Sequence, residues 1–311
     1  MKNKDLLSIS DLSSIDIHLL LADAVELRAD GWLETLAGKT LALLFEKPSL
    51  RTRMSFELAM RQLGGECIYL SPAEVGLGKR ESAKDVAGVL SRYADVLAVR
   101  TFAQETLLEL ARYADVPVIN ALSDFEHPCQ ALADLLTIFD RKESLKGVRL
   151  AYVGDGNNVA RSLTLAGAQV GMDIRIATPA GYALDEKTIE LAKEYSQESG
   201  AAILTTTDPR LAVREADVVY TDTWVSMGQE EEHQKRLQAF KGFQVTKALM
   251  AEAAPEAIFM HCLPAHRGEE VAEDVIDSPA SVVLDQAENR LYAQKAVLAQ
   301  MLGGAEIPLK R

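Results

Sequence analysis

The 311-residue chain is poor in cysteine and in aromatic residues, with three Cys, two Trp and 6% Phe, Trp and Tyr together. Cys67, Cys129 and Cys262 are odd in number and far apart, which does not resemble a disulfide framework and suits a reducing compartment. Long apolar runs are also missing. No uncharged stretch reaches the roughly 18 residues a bilayer-spanning helix needs, and the opening MKNKDLLSISDLSSIDIHLLL carries acids and no signal-peptide core. The expected location is therefore the cytoplasm, with no membrane partner. Basic residues are in deficit: 33 Lys and Arg against 46 Asp and Glu leave a net charge of -13, which argues against nucleic acid as a partner. An anionic ligand must then be held by a local cluster of basic groups.

Apolar residues make up 48% and charged residues 25%, enough to build a sizeable core. At about 150 residues per domain, the length favours two domains. After an amphipathic helix that stops at Asp30 and Gly31, strand and helix patterns alternate. Strand-like runs fall at 41–45, 67–70, 96–99 and 116–121, and a second series at 150–153, 174–177, 203–206, 218–221, 258–262 and 282–284. This alternation predicts an α/β protein of two domains, each a mainly parallel sheet flanked by helices, with ligands at the carboxyl ends of strands. The charged run RKESLKG marks the expected boundary, giving domains at 1–145 and 146–288. A final helix from about Asn289 to Leu302, within 289–311, is expected to return toward the first domain.

The residues that carry chemistry follow the strands. Phe45-Glu46-Lys47-Pro48-Ser49-Leu50-Arg51-Thr52-Arg53 joins a strand to a helix, so unpaired backbone N–H groups, Ser49, Arg51 and Thr52 can cradle an anion. An ordinary capped helix with solvated arginines is the plainer reading. Arg100 ends another strand, and His127-Pro128-Cys129-Gln130 opens a helix after a third, where a neutral imidazole can donate to a carbonyl oxygen. In the second half, GDGNNV looks like a dinucleotide fingerprint, but Val159 replaces its third glycine and Thr178-Pro179 stands where a ribose-binding acid belongs. Its Asn157 and Asn158 amides could instead meet a carboxylate. Asp222 precedes a Ser226-Met227-Gly228 turn and could receive an ammonium. Cys262, in HCLPAHRG, could be a nucleophile or a plain strand-end thiol, and the spacing of His261 and His266 fits no standard zinc template. Arg290 opens the last helix and could bring a further guanidinium.

The ordered series FEKPSLRTR, VRTF, HPCQALAD, GDGNN, DTWVSMG, HCLPAHRG and QAENR resembles the ornithine carbamoyltransferase family over about residues 40 to 300. The resemblance implies a carbamoyl-phosphate domain followed by an ornithine domain, assembled at least as a trimer, with transfer of the carbamoyl group to the ornithine side-chain amine. It implies that Ser49, Leu50, Arg51, Thr52 and Arg100 bind the phosphate, and that His127, Pro128, Cys129, Gln130, Cys262, Leu263 and Arg290 surround the carbamoyl group. Asn158, Asp222, Ser226 and Met227 would hold ornithine, and Arg51, Arg100, His127 and Cys262 would be the catalytic set. No metal and no cofactor is implied. Two positions depart from the family pattern. Leu50 replaces a common Thr, leaving only its backbone N–H to serve, and Gly76 replaces a common Gln, for which Lys79 or Arg80 could substitute. A putrescine carbamoyltransferase would share the first half but needs no partner for an α-carboxylate, and a nicotinamide dehydrogenase would need the missing fingerprint.

Overall fold

The computed structural model describes residues 1–77, 80–226, 228 and 230–303. The chain divides into two compact units, one of Met1–Leu136 with Glu288–Arg311 and one of Thr137–Ala287. In the first, a turn of 3-10 helix precedes α1 (Ser14–Asp30), whose entry is fixed by a reciprocal cap: Asp16 N–H donates to Ser13 Oγ at 3.1 Å and Ser13 N–H to Asp16 Oδ2 at 2.9 Å. Then come β1 (Thr40–Phe45), α2 (Leu50–Gln62), β2 (Glu66–Leu70), α3 (Pro72–Val75) and α4 (Ala83–Leu90). The series continues through β3 (Val96–Arg100), α5 (Gln104–Tyr113), β4 (Val118–Leu122) and the first part of α6 (Pro128–Lys142), whose residues from Thr137 onward belong to the second unit. The sheet is wholly parallel, in the order β2-β1-β3-β4.

Parallel strands are covered on both faces by their crossover helices, so β1 and β3 are apolar without alternation, and Leu41 to Phe45 and Val96 to Val99 are all buried. Ala42, Leu44, Leu97 and Val99 pack with Val86, Leu107 and Leu110 from the covering helices. Because β1 lies between β2 and β3, the chain reverses its winding there, and the place beyond the carboxyl ends of β1 and β3 is where open parallel sheets bind their ligands. The Ser49 and Arg100 segments leave the sheet at that place.

The second unit holds β5 (Arg149–Val153), α7 (Asn158–Gln169), β6 (Asp173–Ala177), α8 (Glu186–Ser199), β7 (Ala202–Thr206) and α9 (Pro209–Val213). It continues with β8 (Val218–Tyr220), α10 (His233–Ala239), α11 (Lys247–Met250), β9 (Ile258–Met260), α12 (Glu273–Ile276) and the start of α13 (Val283–Leu302). This sheet is also parallel, in the order β7-β6-β5-β8-β9, with its own reversal at β5 and β8. Trp224, Phe240 and Phe259 anchor its core, with the Trp224 and Phe240 rings stacked at 5.3 Å.

The two helix-flanked parallel sheets and the C-terminal helix are those expected from the sequence. One strand is not. Val283 and Leu284 open α13 and Val282 precedes it, its N–H donating to the Phe259 carbonyl at 3.0 Å beside an isolated bridge between Phe259 and Ser281, while its carbonyl accepts the Gln286 N–H of the helix at 2.9 Å. A three-residue apolar run suits a buried helix start as well as a strand. Consequently α13 begins at Val283, ahead of the expected Asn289. Among the described residues, no helix is long and apolar enough to cross a membrane.

Candidate functional site

In the first unit, Ser49 caps α2 in extended conformation, its hydroxyl accepting the Thr52 N–H at 3.3 Å. The N–H groups of the first turn therefore point outward from the carboxyl end of β1, with the positive end of the helix dipole behind them. Leu50 is 74% exposed, Arg51 is half-buried and Thr52 is buried. Arg100 pairs in register with Phe45, and its carbonyl accepts the Glu46 N–H at 2.8 Å, which brings a buried guanidinium beside the α2 entry.

Arg290, on α13, joins this group. Its Nη2 donates to Thr52 Oγ1 and its Nη1 to Gln130 Oε1, while Gln130 Nε2 donates to Asp134 Oδ1 at 2.7 Å. Pro128 occupies the first position of α6, where its missing N–H costs nothing. His127 just before it is buried, and burial together with the positive charges of Arg290, Arg100 and Lys47 holds its pKa well below the ordinary imidazole range. It is a neutral ring at neutral pH. Lys47 is itself held down to about 8 by burial and by Arg100, against the pull of Asp124 and Glu46. Its ammonium lies 4.9 Å from the centre of the Phe102 ring. Cys129 turns its thiol to the Asn120 carbonyl at 3.7 Å, and burial pushes it up to about 12, so it is no nucleophile. The structure thus gathers Ser49, Thr52, Arg100, His127, Gln130 and Arg290, and adds Lys47. Gly76 ends α3 in the left-handed conformation, Arg80 donates to Glu81 at 3.3 Å, and Lys79 lies outside the described residues.

In the second unit the centre is Asp222, just past β8. Its Oδ2 accepts from Asn157 Nδ2 at 2.8 Å and its Oδ1 from Cys262 Sγ at 3.0 Å. Asn157 caps α7, its Oδ1 accepting the N–H groups of Val159 and Ala160 at 3.0 and 3.1 Å, and Asn158 is the first residue of that helix. The turn before it is tight. A Cβ on Gly156 would stand 2.5 Å from the Leu184 nitrogen and 2.7 Å from the Tyr182 oxygen, so only glycine fits. Leu263, after Cys262, has φ +57°, and its N–H donates to His261 Nδ1 at 2.9 Å. Ser226 is half-buried, and Met227 lies outside the described residues.

The Asn157 side-chain amide meets a carboxylate as the sequence suggested, that of Asp222. Sequence reasoning missed one support of this centre, Arg236 on α10, whose Nη1 donates to Asp155 Oδ2 and to the Trp224 carbonyl, both at 2.9 Å, tying the turn after β5 to the segment that carries Ser226. The signal for Arg236 lay in its helix alone, where it reads as a solvated charge.

Residues 4–140 match the carbamoyl-P binding domain, and residues 146–301 the Asp/Orn binding domain, of aspartate/ornithine carbamoyltransferases. The chain is 52% identical over 310 residues to the anabolic ornithine carbamoyltransferase of Pyrococcus furiosus, covering 98% of each chain. It is 53% identical over 299 residues to the ornithine carbamoyltransferase of Bacillus subtilis, covering 96% of this chain and 94% of that one. Its fold superposes on a solved structure of ornithine carbamoyltransferase from Pyrococcus furiosus with a TM-score of 0.94 at 52% identity, covering 98% of this chain and 99% of that one.

Proposed function

The chain belongs to the aspartate/ornithine carbamoyltransferase family, and we propose that its named side chains divide the work of moving a carbamoyl group from carbamoyl phosphate to the side-chain amine of L-ornithine, giving L-citrulline and phosphate. Residues 1–145 take the phosphate donor and 146–288 the amino acid. One observation carries the first assignment: Arg290, Arg100 and Lys47 converge on a buried, neutral His127 next to a helix N-terminus. Such a concentration of positive charge in an acidic chain suits a dianion.

The chemistry follows from charge. As the neutral amine attacks, the C–N bond forms and the carbonyl oxygen gains negative charge; the C–O bond to the phosphate then breaks, the phosphate departs with its electron pair, and the proton shed by the attacking nitrogen leaves on that phosphate. Arg51, Arg100, the α2 N–H groups of Leu50 and Thr52, and the hydroxyls of Ser49 and Thr52 stabilise the departing phosphate. His127, neutral and therefore able to donate a single proton in a hydrogen bond, serves the carbonyl oxygen, with Arg290. Gln130 and the backbone at Pro128, Cys129 and Leu263 border the carbamoyl amide. Asp222 receives the α-ammonium, while Asn158, Ser226 and Met227 fix the amino-acid backbone. Cys262 adjoins both ligands. The ornithine side-chain amine resembles that of Lys, with a pKa near about 10, so only its neutral minority attacks at neutral pH and the rate rises with pH until that form saturates. Holding both reactants close supplies much of the remaining acceleration.

The reading extends to an anabolic role in arginine metabolism in the cytoplasm, supported by the anabolic relative, and to a homotrimer or multiple of trimers. The exposed apolar side chains of Leu50 and Met54 on α2 and Ile68 on the edge strand β2 support self-association. Light scattering on the eluting protein should give three chain masses or a multiple, and a monomer would refute it. Citrulline formation, assayed with ornithine, putrescine, aspartate and acetylornithine in parallel, tests the activity. Ornithine should be used with the highest kcat/KM, and preference for putrescine would overturn the assignment of the Ser226 segment.

A further inference from the structure

Outside the substrate residues, β9 runs into a loop at 261–270 that gathers three histidines and glutamates with the neighbouring α10. His261 is spent on the fold. Its Nδ1 accepts the Leu263 N–H at 2.9 Å, so its Nε2 carries the ring proton and donates to Glu270 Oε1 at 3.1 Å. The same Oε1 accepts the His266 N–H at 2.6 Å. Glu270 is completely buried, yet its other oxygen, Oε2, has no hydrogen-bond partner among the described residues. A buried carboxylate oxygen left in that state is costly and marks a place for a cation.

What faces that oxygen is a set of ligand atoms. His266 Nδ1 stands 3.7 Å from Glu270 Oε2, and the donor atoms of His266, Glu269 and Glu270 all lie within 4.8 Å of one another. His233, the first residue of α10, brings its Nε2 to 3.2 Å from Glu269 Oε1. We propose that His266, Glu269 and Glu270, with His233 alongside, form a binding site for a divalent transition-metal ion of the zinc class. Tetrahedral bonds of about 2.0–2.1 Å hold neighbouring donors roughly 3.4 Å apart; the His266–Glu270 pair stands at 3.7 Å and the His233–Glu269 pair at 3.2 Å, while the three-residue cluster spans up to 4.8 Å, so an ion must draw His266, Glu269 and Glu270 together and swing His233 toward them through its contact with Glu269. Two imidazoles and two carboxylates select zinc-like ions over magnesium and calcium, which demand oxygen alone. His266 and His233 are half-exposed, leaving a route from solvent.

Binding changes one bond. Thr223 Oγ1 lies 3.1 Å from both the Val225 carbonyl and His266 Nδ1. An ion at Nδ1 leaves the ring proton on Nε2 and takes the ring from Thr223. Neither standard spacing nor the His261 and His266 pair announces this site, because its fourth ligand comes from another helix.

Equilibrium dialysis of the purified full chain against Zn²⁺, and the visible spectrum of the Co²⁺-substituted protein, test it. One ion per chain should bind, with tetrahedral Co²⁺ bands and no thiolate charge-transfer band. His266→Gln and His233→Gln, both at half-exposed positions, should each weaken binding by roughly a hundredfold, since even partners beyond the ligands cost roughly 10–100-fold. Cys262→Ser should leave it unchanged. Absence of binding to the intact chain, a thiolate band, or loss of the ion in Cys262→Ser with retention in His266→Gln would each overturn the proposal.

Discussion

Arg290 uses separate nitrogens for Thr52 and Gln130, a fork that an ammonium cannot reproduce. Arg290→Lys should therefore lower kcat/KM for carbamoyl phosphate by roughly a hundredfold, about 2.7 kcal/mol of transition-state stabilisation, in steady-state assays of the folded variant. Asp222 sits between Asn157 and Cys262 and is the one carboxyl group of that trio. Asp222→Asn should weaken ornithine binding by calorimetry while carbamoyl phosphate binding stays nearly unchanged, and equal loss of both would break the division of labour. Asp155 behaves differently, because burial pushes its carboxyl up to about 6 despite the Arg236 partner. The folded chain holds that proton more tightly than an unfolded Asp at 3.8, so this group's contribution to stability is fully present below that value and is lost as pH rises through about 6. Asp155→Asn should remove this slope: the unfolding free energy of the variant relative to the parent should increase between about pH 4 and about pH 7 in denaturant titrations.

At the scale of elements, α2 and α7 begin at the reversal points of their sheets, and each begins on a side-chain cap. Gly156→Ala places a methyl against backbone at 2.5 Å, an overlap no side-chain rotation relieves, and should lower the unfolding free energy by about 1–3 kcal/mol in denaturant titrations. What the sequence revealed follows the same geometry. Ser49, Arg100, His127, Asp222 and Cys262 were legible because each follows a strand, and strands announce themselves through continuous apolar runs. Arg236 was hidden because its partner Asp155 lies 81 residues away, and a charge on a short helix looks the same whether solvated or buried. The union of Arg290 with Thr52 spans 238 residues, and only the family resemblance placed both at one ligand. The 282–284 run was misread because three apolar residues have no period.

At the scale of the whole molecule, a net charge of -13 repels a dianionic donor at long range, while at the proposed site Arg51, Arg100, Arg290 and Lys47 would attract it nearby. Salt acts unequally on the two. Exposed charges farther apart than the screening length, about 10 Å at 0.1 M, are shielded first, whereas Arg100 and Arg290 are buried and shielded little. Raising potassium chloride from about 10 to about 100 mM should therefore leave the KM for carbamoyl phosphate level or lower it, the reverse of the behaviour of a protein that draws anions in through a basic surface. A KM that climbs steeply over that range would show that exposed cations, rather than the buried set at the start of α2, govern capture of the donor.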